Sequence, residues 1–385
     1  MIMSNSILIV YDYFFPGYRA GGPIQSLTNL IVTLQNHYDI SVFTSAFDLD
    51  QNEAYDTVAI NEWNKILLQG VNKAINVFYA SKNIRKSEVI ELIASKNFSI
   101  IYLNGIFSST YFLQILFAQK SIKGKIVVCP RGMLQKGALS VKPFKKIVYL
   151  KYLQLSRKLE KVFFHATNEE EKNDIVSFFS INKGVFIAPN IPKIPIENIQ
   201  LPEKKGDELR FVFLSLITEK KNLLFLLQTL IRSNPKITLD IYGPIKDKEY
   251  WEECKKIIKK IPERVFYKGE VLPQNVQNVL AQYHAFILLT KGENFGHAIY
   301  ESLSVGRPVI TSLFTPWQDL ENKNAGINAD ISDALFCIDA IEKFRLMDQK
   351  NYNQFCMGSY QSAIEYYKKT NAQQKYVEMF SSYIN

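Results

Sequence analysis

The sequence contains few cysteines and no long apolar runs, and both features narrow the classes of protein to which the chain can belong. The four cysteines, Cys129, Cys254, Cys337 and Cys356, lie far apart without Cys-x-x-Cys spacing. This excludes a disulfide framework and favours free thiols in a reducing cytoplasm. No apolar run approaches the ~18 residues that a membrane-spanning helix needs. Residues 7–10 are too short for the apolar core of a secretory signal, so none is expected.

Histidines are equally scarce, and glycine-rich cofactor motifs are missing. The four histidines show no metal-ligand spacing. No Gly-x-Gly-x-x-Gly fingerprint follows the first predicted strand, which argues against a dinucleotide cofactor. The chain has no internal repeat of solenoid period and no low-complexity tract. With 47% apolar and 22% charged residues over 385 positions, it predicts an ordinary globular protein of two domains.

Positive charge is concentrated in one window. Residues 82–161 contain 16 Lys and Arg against 3 Asp and Glu, a net charge of 16 − 3 = +13, whereas the whole chain carries +9. Within this window, residues 136–161 mix lysines with apolar side chains, which resembles an interfacial segment that docks on an anionic membrane. The alternative is a helix with a core-facing apolar side and a solvated cationic side.

Strand-like apolar runs alternate with helical patterns in both halves of the chain. Strands are predicted at residues 6–11, 40–44, 100–103 and 125–129, and then at 210–216, 237–242, 265–268, 285–290 and 309–311. Strands separated by helices favour parallel, doubly wound sheets and therefore an α/β fold. A proline-rich stretch at 191–207 predicts a linker between a first domain at 1–190 and a second at 208–370.

The most distinctive stretch is residues 293–308, which carries two carboxylates eight positions apart. Glu293 follows a predicted buried strand, and Glu301 is expected roughly two helical turns inward. A helix that starts at the end of a strand offers free backbone N–H groups to an anion. One carboxylate would hold a sugar and the other a ribose, with phosphates between them. Taken alone, the pair is also compatible with two solvated surface acids.

In its context, this stretch resembles the retaining glycosyltransferases of family four, which have the GT-B fold. The hallmark of that family is Glu-x7-Glu with Phe-Gly soon after the first glutamate, here Phe295-Gly296. Residues 306–310 and Thr315-Pro316-Trp317 match a bacterial surface-polysaccharide branch of the family. The resemblance implies two Rossmann-like domains that face each other across a cleft. It also implies that a final helix at about 371–385 packs back on the first domain.

The resemblance further implies a nucleotide-sugar site and names its residues. The implied catalytic residues are Glu293, Lys221 and Arg131. The implied donor-binding residues are Glu301, Gly296, His297, Phe295, Asn294, Gly243, Leu272, Gly21 and Gly22, and Asn104 is the candidate acceptor contact. Relatives carry an arginine where this chain has Leu216, so one expected cation is missing, and Arg131 is the proposed replacement.

Each assignment has a structural alternative. Lys221 is also compatible with a solvated loop lysine, Arg131 with a surface or structural arginine, and Asn104 with a turn. The glycines and Leu272 are compatible with turn geometry and core packing alone. For His297, the backbone N–H is expected to contact the donor more than the ring.

Together these patterns predict a cytoplasmic retaining glycosyltransferase, peripheral on the inner face of the plasma membrane. The donor is expected to be a UDP- or GDP-linked hexose or N-acetylhexosamine, and the acceptor a glycan or lipid-linked sugar of lipopolysaccharide or capsule. No metal or other cofactor is expected, since lysines and helix-end N–H groups would neutralise the diphosphate. The alternatives are another GT-B enzyme, such as a nucleotide-sugar epimerase, or a catalytically silent GT-B protein that binds a nucleotide or partner. A nucleic acid is not expected, because no recognition motif accompanies the basic window.

Overall fold

The computed structural model describes residues 5–139, 142–181 and 184–384. Two compact units emerge: unit 1 is Met1–Ile191 with Asn371–Asn385, and unit 2 is Pro192–Thr370. Residues 140 and 141 of the predicted basic segment and residue 385 of the predicted final helix lie outside the described residues, as do 1–4, 182 and 183 of the predicted first domain.

The sheet of unit 1 is doubly wound. Its strands are β1 (Ser6–Val10), β2 (Asp39–Ser45), β3 (Trp63–Ile66), β4 (Ile75–Ala80), β5 (Ile100–Asn104), β6 (Lys125–Cys129), β7 (Phe163–Ala166) and β8 (Val185–Ile187). They lie in the order β3-β4-β2-β1-β5-β6-β7-β8, parallel except for the antiparallel edge pair β3–β4. The order reverses between β1 and β5, which makes that edge of the sheet the place for a crevice.

Helices cover both faces of this sheet. They are α1 (Gly22–Leu34), α2 (Lys86–Ser95), α3 (Gln114–Phe117), α4 (Lys136–Leu139), α5 (Pro143–Leu155) and α6 (Glu169–Phe179), together with the C-terminal helix (Ala372–Ile384). Shorter helical turns lie at Ser109–Leu113, Gln119–Ser121 and Lys158–Lys161. Successive side chains of β1 point to opposite faces of the sheet. Ile7 and Ile9 lie in the same core cluster as α1 and the C-terminal helix, whereas Leu8 and Val10 lie in the cluster that includes α5.

The C-terminal helix is an integral part of unit 1. Its Tyr376, Met379 and Phe380 are buried in the core beneath the sheet. The Tyr38 hydroxyl donates to the backbone oxygen of Val377 at 3.1 Å. The end of the chain therefore completes a core that its first 190 residues begin.

The sheet of unit 2 is parallel throughout. Its strands are β9 (Leu209–Leu214), β10 (Ile237–Tyr242), β11 (Val265–Gly269), β12 (Ala285–Leu288), β13 (Val309–Ser312) and β14 (Gly326–Ala329), in the order β11-β10-β9-β12-β13-β14. Its helices are α7 (Leu223–Ile231), α8 (Lys248–Ile258), α9 (Val276–Leu280), α10 (His297–Ser304), α11 (Ala334–Leu346) and α12 (Gln349–Thr370), with 3-10 turns at Glu219–Lys221 and Pro273–Asn275. The predicted α/β, doubly wound architecture is confirmed. The strand order reverses between β9 and β12, and ligands of such sheets bind at the carboxyl ends of the strands at that point.

The structure does not show the predicted linker as a separate segment. Residues 192–207 belong to unit 2, and Lys204 within them is buried. The Lys204 ammonium donates to the backbone oxygens of Gly206 and Met347, each at 3.0 Å. Burial lowers the pKa of this lysine. The proline-rich stretch therefore packs as part of unit 2.

Length and apolarity of the helices bear on membrane insertion. Within the described ranges, no helix is both long enough and apolar enough to cross a membrane.

Candidate active site

The loop after β9 is tied to the loop after β12. The 3-10 turn Glu219–Lys221 leads into Asn222, whose φ of 59° is left-handed, a conformation that asparagine tolerates better than most residues. The Asn222 amide donates to the backbone oxygen of Leu289 at 2.9 Å. The Lys291 N–H donates to the backbone oxygen of Lys220 at 2.8 Å. Two loops from neighbouring strands are thereby held as one surface.

An ion pair joins these loops at the edge of the sheet. The Lys221 ammonium donates to the Glu293 carboxylate. The side chains are only 17% and 11% exposed, so neither is the solvated surface residue of the alternative interpretation. The Glu293 N–H donates to the backbone oxygen of Phe314 at 3.0 Å. A pair of charges this sheltered from water loses much solvation energy, which is usual where the charges serve a ligand.

Helix α10 begins at His297, directly after Gly296. Gly296 caps it with a left-handed φ of 79°, and a Cβ there would lie 2.9 Å from Ile299 Cδ1, so the turn requires glycine. His297 is therefore the first helical residue, and Glu301 is the fifth. Glu301 lies about one turn into the helix, not two as expected, because the residues just after Glu293 form an irregular loop.

Glu301 is a buried acid without a full set of partners. It is 5% exposed, and its Oε1 has no hydrogen-bond partner within the described part of the chain. Burial raises the pKa of Glu301 to about 7, and the charge of Lys193 partly opposes that shift. Buried polar atoms are normally paired, so the unpaired Oε1 makes Glu301 a candidate ligand-binding residue, and its role in donor binding stays a prediction.

Aromatic side chains hold the turn between Glu293 and α10. The Trp317 indole N–H donates to the backbone oxygen of Phe295 at 2.5 Å, and the two ring centroids are 5.5 Å apart. The Tyr366 ring lies 4.9 Å from that of Trp317. The His297 ring packs edge-on against Phe295 at 4.7 Å. Trp317 of the Thr-Pro-Trp motif thereby fixes the backbone from Asn294 to Gly296.

Gly243 and Leu272 follow the neighbouring strands β10 and β11. A Cβ on Gly243 would lie 1.9 Å from the Ser215 backbone oxygen, and its φ is 134°, so turn geometry alone requires glycine there. Leu272 is exposed, which excludes the core-packing alternative for it. Both residues line the carboxyl edge of the sheet, and their contact with a nucleobase stays a prediction.

Lys220 is a second cation that the sequence did not single out. Leu216, which stands where relatives carry an arginine, is half-buried and supplies no charge. Burial lowers the pKa of Lys220, whereas the charge of Glu293 opposes the shift. A Cβ on Gly292 would lie 3.8 Å from Lys220 Cε, which places the lysine stem beside the loop that carries Glu293. The sequence pattern that could have indicated this second cation is the adjacent pair Lys220-Lys221, followed by Asn222.

Arg131 and Asn104 meet in unit 1. The Arg131 Nε donates to Asn104 Oδ1 at 3.0 Å, and its two terminal nitrogens donate to Asn190 Oδ1 at 2.7 Å and to the Tyr102 hydroxyl at 3.0 Å. Asn104 is buried, and its amide also donates to the Tyr102 backbone oxygen at 3.1 Å. This geometry supports the structural interpretation of both residues, while their catalytic and acceptor roles stay predictions.

A buried histidine extends the Arg131 network. The Tyr102 hydroxyl lies 2.6 Å from His165 Nδ1, and His165 Nε2 lies 2.8 Å from the Ala188 backbone oxygen. Burial and the Arg131 charge lower the pKa of His165 to about 3, so its ring is neutral. Nε2 then donates to Ala188 and Nδ1 accepts from Tyr102. Arg131 therefore anchors the segment that ends unit 1 at Ile191.

Arg131→Ala is expected to destabilise unit 1 by about 3 kcal/mol or more, because three buried acceptors lose their donor. Urea unfolding at neutral pH measures the effect. Arg131→Lys should restore little, since one ammonium cannot reproduce a planar three-way fork. Arg232→Ala, at an exposed position, is the matched control. Wild-type stability combined with lost turnover would instead support the catalytic role of Arg131.

Gly21 and Gly22 lie where β1 leads into α1. Gly21 caps the helix with a left-handed φ of 71°, and Gly22 is its first residue. Asp48 holds the preceding loop, since its Oδ2 accepts from the Tyr18 and Arg19 N–H groups at 2.9 and 3.2 Å. Asp48 and Asp50 form an Asp-x-Asp triplet, although no Asp-x-Asp of the metal-dependent kind was expected from the sequence. No cluster of three or more His, Cys, Asp or Glu suited to a metal occurs among the described residues.

Residues 196–355 match the family model described as glycosyl transferases group 1, which spans most of unit 2 and less than half of the chain. Unit 2 is a glycosyl transferases group 1 domain. The transferase expected from the sequence is thereby confirmed. Lys221, Glu293 and Glu301 all lie inside this group 1 domain, whereas Arg131 and Asn104 lie outside it.

Solved structures share the fold of the whole chain. HepE of Anabaena, in complex with UDP and glucose, has a TM-score of 0.74 at 14% identity and covers 98% of this chain and 99% of its own. Sucrose-phosphate synthase from Thermosynechococcus elongatus has a TM-score of 0.74 at 14% identity over 98% and 100%. WaaG, a glycosyltransferase involved in lipopolysaccharide biosynthesis, has 0.68 at 11% over 97% and 99%. The fold is therefore GT-B, with unit 1 and the group 1 domain as its two Rossmann-like domains. No curated protein sequence is detectably similar to the chain.

Proposed function

We propose that the chain is a retaining glycosyltransferase of bacterial surface-polysaccharide synthesis, such as that of lipopolysaccharide or capsule. It transfers a hexose or N-acetylhexosamine from a UDP- or GDP-sugar to a glycan or lipid-linked acceptor on the cytoplasmic side of the membrane. One observation carries the proposal: the Lys221–Glu293 pair and the buried Glu301 lie at the strand reversal of the group 1 domain. The UDP and glucose bound to HepE and the lipopolysaccharide pathway of WaaG support it.

The lysines act on the leaving group. Cleavage of the glycosidic bond builds negative charge on the diphosphate, and fixed cations and N–H donors stabilise that charge. Lys221 and Lys220 supply the cations, and the N-terminus of α10 adds the positive end of its helix dipole. Lys220 thereby takes the place of the arginine absent at Leu216. In the free protein, Lys221 pairs with Glu293; when phosphate draws the lysine away, the Glu293 carboxylate becomes available to a sugar hydroxyl.

Glu301 acts on the nucleotide. A buried carboxylate accepts strong hydrogen bonds from the two adjacent hydroxyls of a ribose. In the free protein the pKa of Glu301 is about 7. Ligand binding near neutral pH is therefore coupled to release of the Glu301 proton. Hydroxyl donors favour the ionised form, so bound nucleotide is expected to lower the pKa.

Retention follows from the family resemblance. The leaving diphosphate deprotonates the acceptor on the same face of the sugar, without a protein nucleophile. Positioning by Glu293 and Glu301 then supplies much of the rate. No metal is required, since the lysines and α10 hold the diphosphate.

A nucleotide screen tests the proposal. UDP or GDP is expected to raise the melting temperature, since a ligand at a hundredfold excess over its Kd adds about 2.7 kcal/mol of stability. EDTA should not reduce that effect. Hydrolysis or transfer across a panel of UDP- and GDP-sugars then identifies the donor. If neither nucleotide stabilises the protein at millimolar concentration, the proposal of a UDP- or GDP-sugar donor is wrong.

A further inference from the structure

Helix α5 turns an apolar face away from the core of unit 1. Its core contacts come from Leu150 and Leu153, which are buried, and from the half-buried Tyr149. On the opposite side, Phe144 is 78% and Leu155 83% exposed, and Ile147 and Val148 between them are also exposed. The spacings of three, four and eleven residues place these four on one side of the helix. The alternative of a core-facing apolar side thus holds for Tyr149, Leu150 and Leu153, and the outer apolar stripe needs another partner.

Cations border this stripe without acids to neutralise them. Lys151 lies seven residues after Phe144, within the stripe, and Lys145 flanks it, both exposed. No Asp or Glu occurs between Glu91 and Glu160, a stretch that contains twelve Lys and Arg. Long lysine stems lie along apolar surface while their ammonium groups stay in water. The outer face of α5 therefore combines apolar side chains with a local excess of positive charge.

We propose that α5 docks on the surface of an anionic lipid bilayer. Phe144, Ile147, Val148 and Leu155 enter the boundary between head groups and acyl chains, and Lys145 and Lys151 contact anionic head groups. A second copy of the chain is disfavoured as the occupant, because two identical cationic faces repel each other. The inference rests on the proposed function in that a membrane-docked enzyme would meet a lipid-linked acceptor.

Vesicle co-sedimentation of the full chain without donor tests the docking. We expect binding to phosphatidylcholine vesicles that contain phosphatidylglycerol, little binding to phosphatidylcholine alone, and a loss of binding as salt rises. Lys145→Gln/Lys151→Gln should weaken binding about fivefold for each lysine. Lys255→Gln/Lys259→Gln, in and just after α8, is the matched charge control and should bind as the wild type does.

An apolar variant separates docking from simple charge attraction. Phe144→Ser/Leu155→Ser should weaken binding roughly tenfold or more, since both side chains enter the bilayer. Leu335→Ser/Leu346→Ser, at positions 60% and 67% exposed on α11, is the matched control and should bind normally. All four positions are exposed, so the variants should keep the wild-type melting temperature.

Three outcomes would overturn the inference. These are no sedimentation of the wild-type chain with anionic vesicles at low salt, wild-type binding by Phe144→Ser/Leu155→Ser, or a dimer in solution that this variant dissociates. Because vesicle binding needs no donor, its failure leaves the nucleotide-induced rise in melting temperature intact. Loss of that rise alone would count against the proposed function and not against docking.

Discussion

Glu301→Gln is expected to stabilise the free protein above pH 7 and, at the same time, to weaken nucleotide binding. Burial raises the pKa of Glu301 from 4.5 to about 7. An acid whose pKa is higher in the folded state destabilises that state as pH rises from about 4.5 to about 7, and the full cost applies above that range. At 1.36 kcal/mol for each pKa unit, the cost is about 3 kcal/mol. Glutamine cannot ionise, so it removes this cost.

Urea unfolding of the free protein at pH 8 and pH 4 measures the stability change. The variant should gain up to about 3 kcal/mol at pH 8 and nearly nothing at pH 4, where both forms are neutral. Glu249→Gln, at an exposed position on α8, is the control and should change little at either pH.

Nucleotide affinity of Glu301 variants measures the functional cost. Glu301→Gln should bind the preferred nucleotide more weakly, and Glu301→Ala should lose the nucleotide-induced rise in melting temperature altogether, because it removes both acceptor oxygens. Stability that is given up for binding is characteristic of functional sites. A Glu301→Gln protein that is no more stable than wild type at pH 8, or that binds nucleotide normally, would remove Glu301 from the site.

Strand prediction succeeded where the strand is an apolar run that ends in a turn residue. Lys125–Cys129 and Ile237–Tyr242 were predicted with their observed bounds. Five strands were not predicted: β3, β4, β7, β8 and β14. Of these, β7 contains His165, and β14 contains Gly326 and Asn328. Their polar side chains are satisfied only by distant partners, such as Tyr102 for His165 and the Trp317 backbone oxygen for Asn328. Local sequence carries no trace of those partners.

The candidate site was likewise predicted only in part. The family motif named Glu293, Glu301 and Lys221, but the pairing of Lys221 with Glu293 depends on β9 lying beside β12, which is a property of the sheet. Lys220 was passed over because its burial arises from the loop after β12. Hydrogen bonds of the Arg131 network join residues up to 63 positions apart, so the structural role of Arg131 could not be read from the motif alone.

Glu293→Ala is expected to lower kcat by about 10²–10³-fold. The change removes the carboxylate proposed to hold the sugar, and it leaves the Lys221 ammonium without its partner in a sheltered site. Lys221→Ala should have a comparable effect, through lost stabilisation of the diphosphate. Steady-state kinetics with saturating donor measures both. If the pair acts as a unit, the double variant should be about as slow as the worse single variant, and not slower by the product of the two effects.

The same two loops provide a matched control for Glu293→Ala. Glu219 and Lys291 also pair, at 2.8 Å, but their side chains are 74% and 47% exposed. An exposed pair contributes at most about 1 kcal/mol, so Glu219→Ala should leave kcat within a few-fold of wild type. A comparable loss in both variants would mean that loop rigidity, and not the charge of Glu293, limits turnover. Lys220→Gln decides the remaining question: it should raise KM for the donor and lower kcat if Lys220 replaces the arginine absent at Leu216, and it should change neither if that cation is supplied elsewhere.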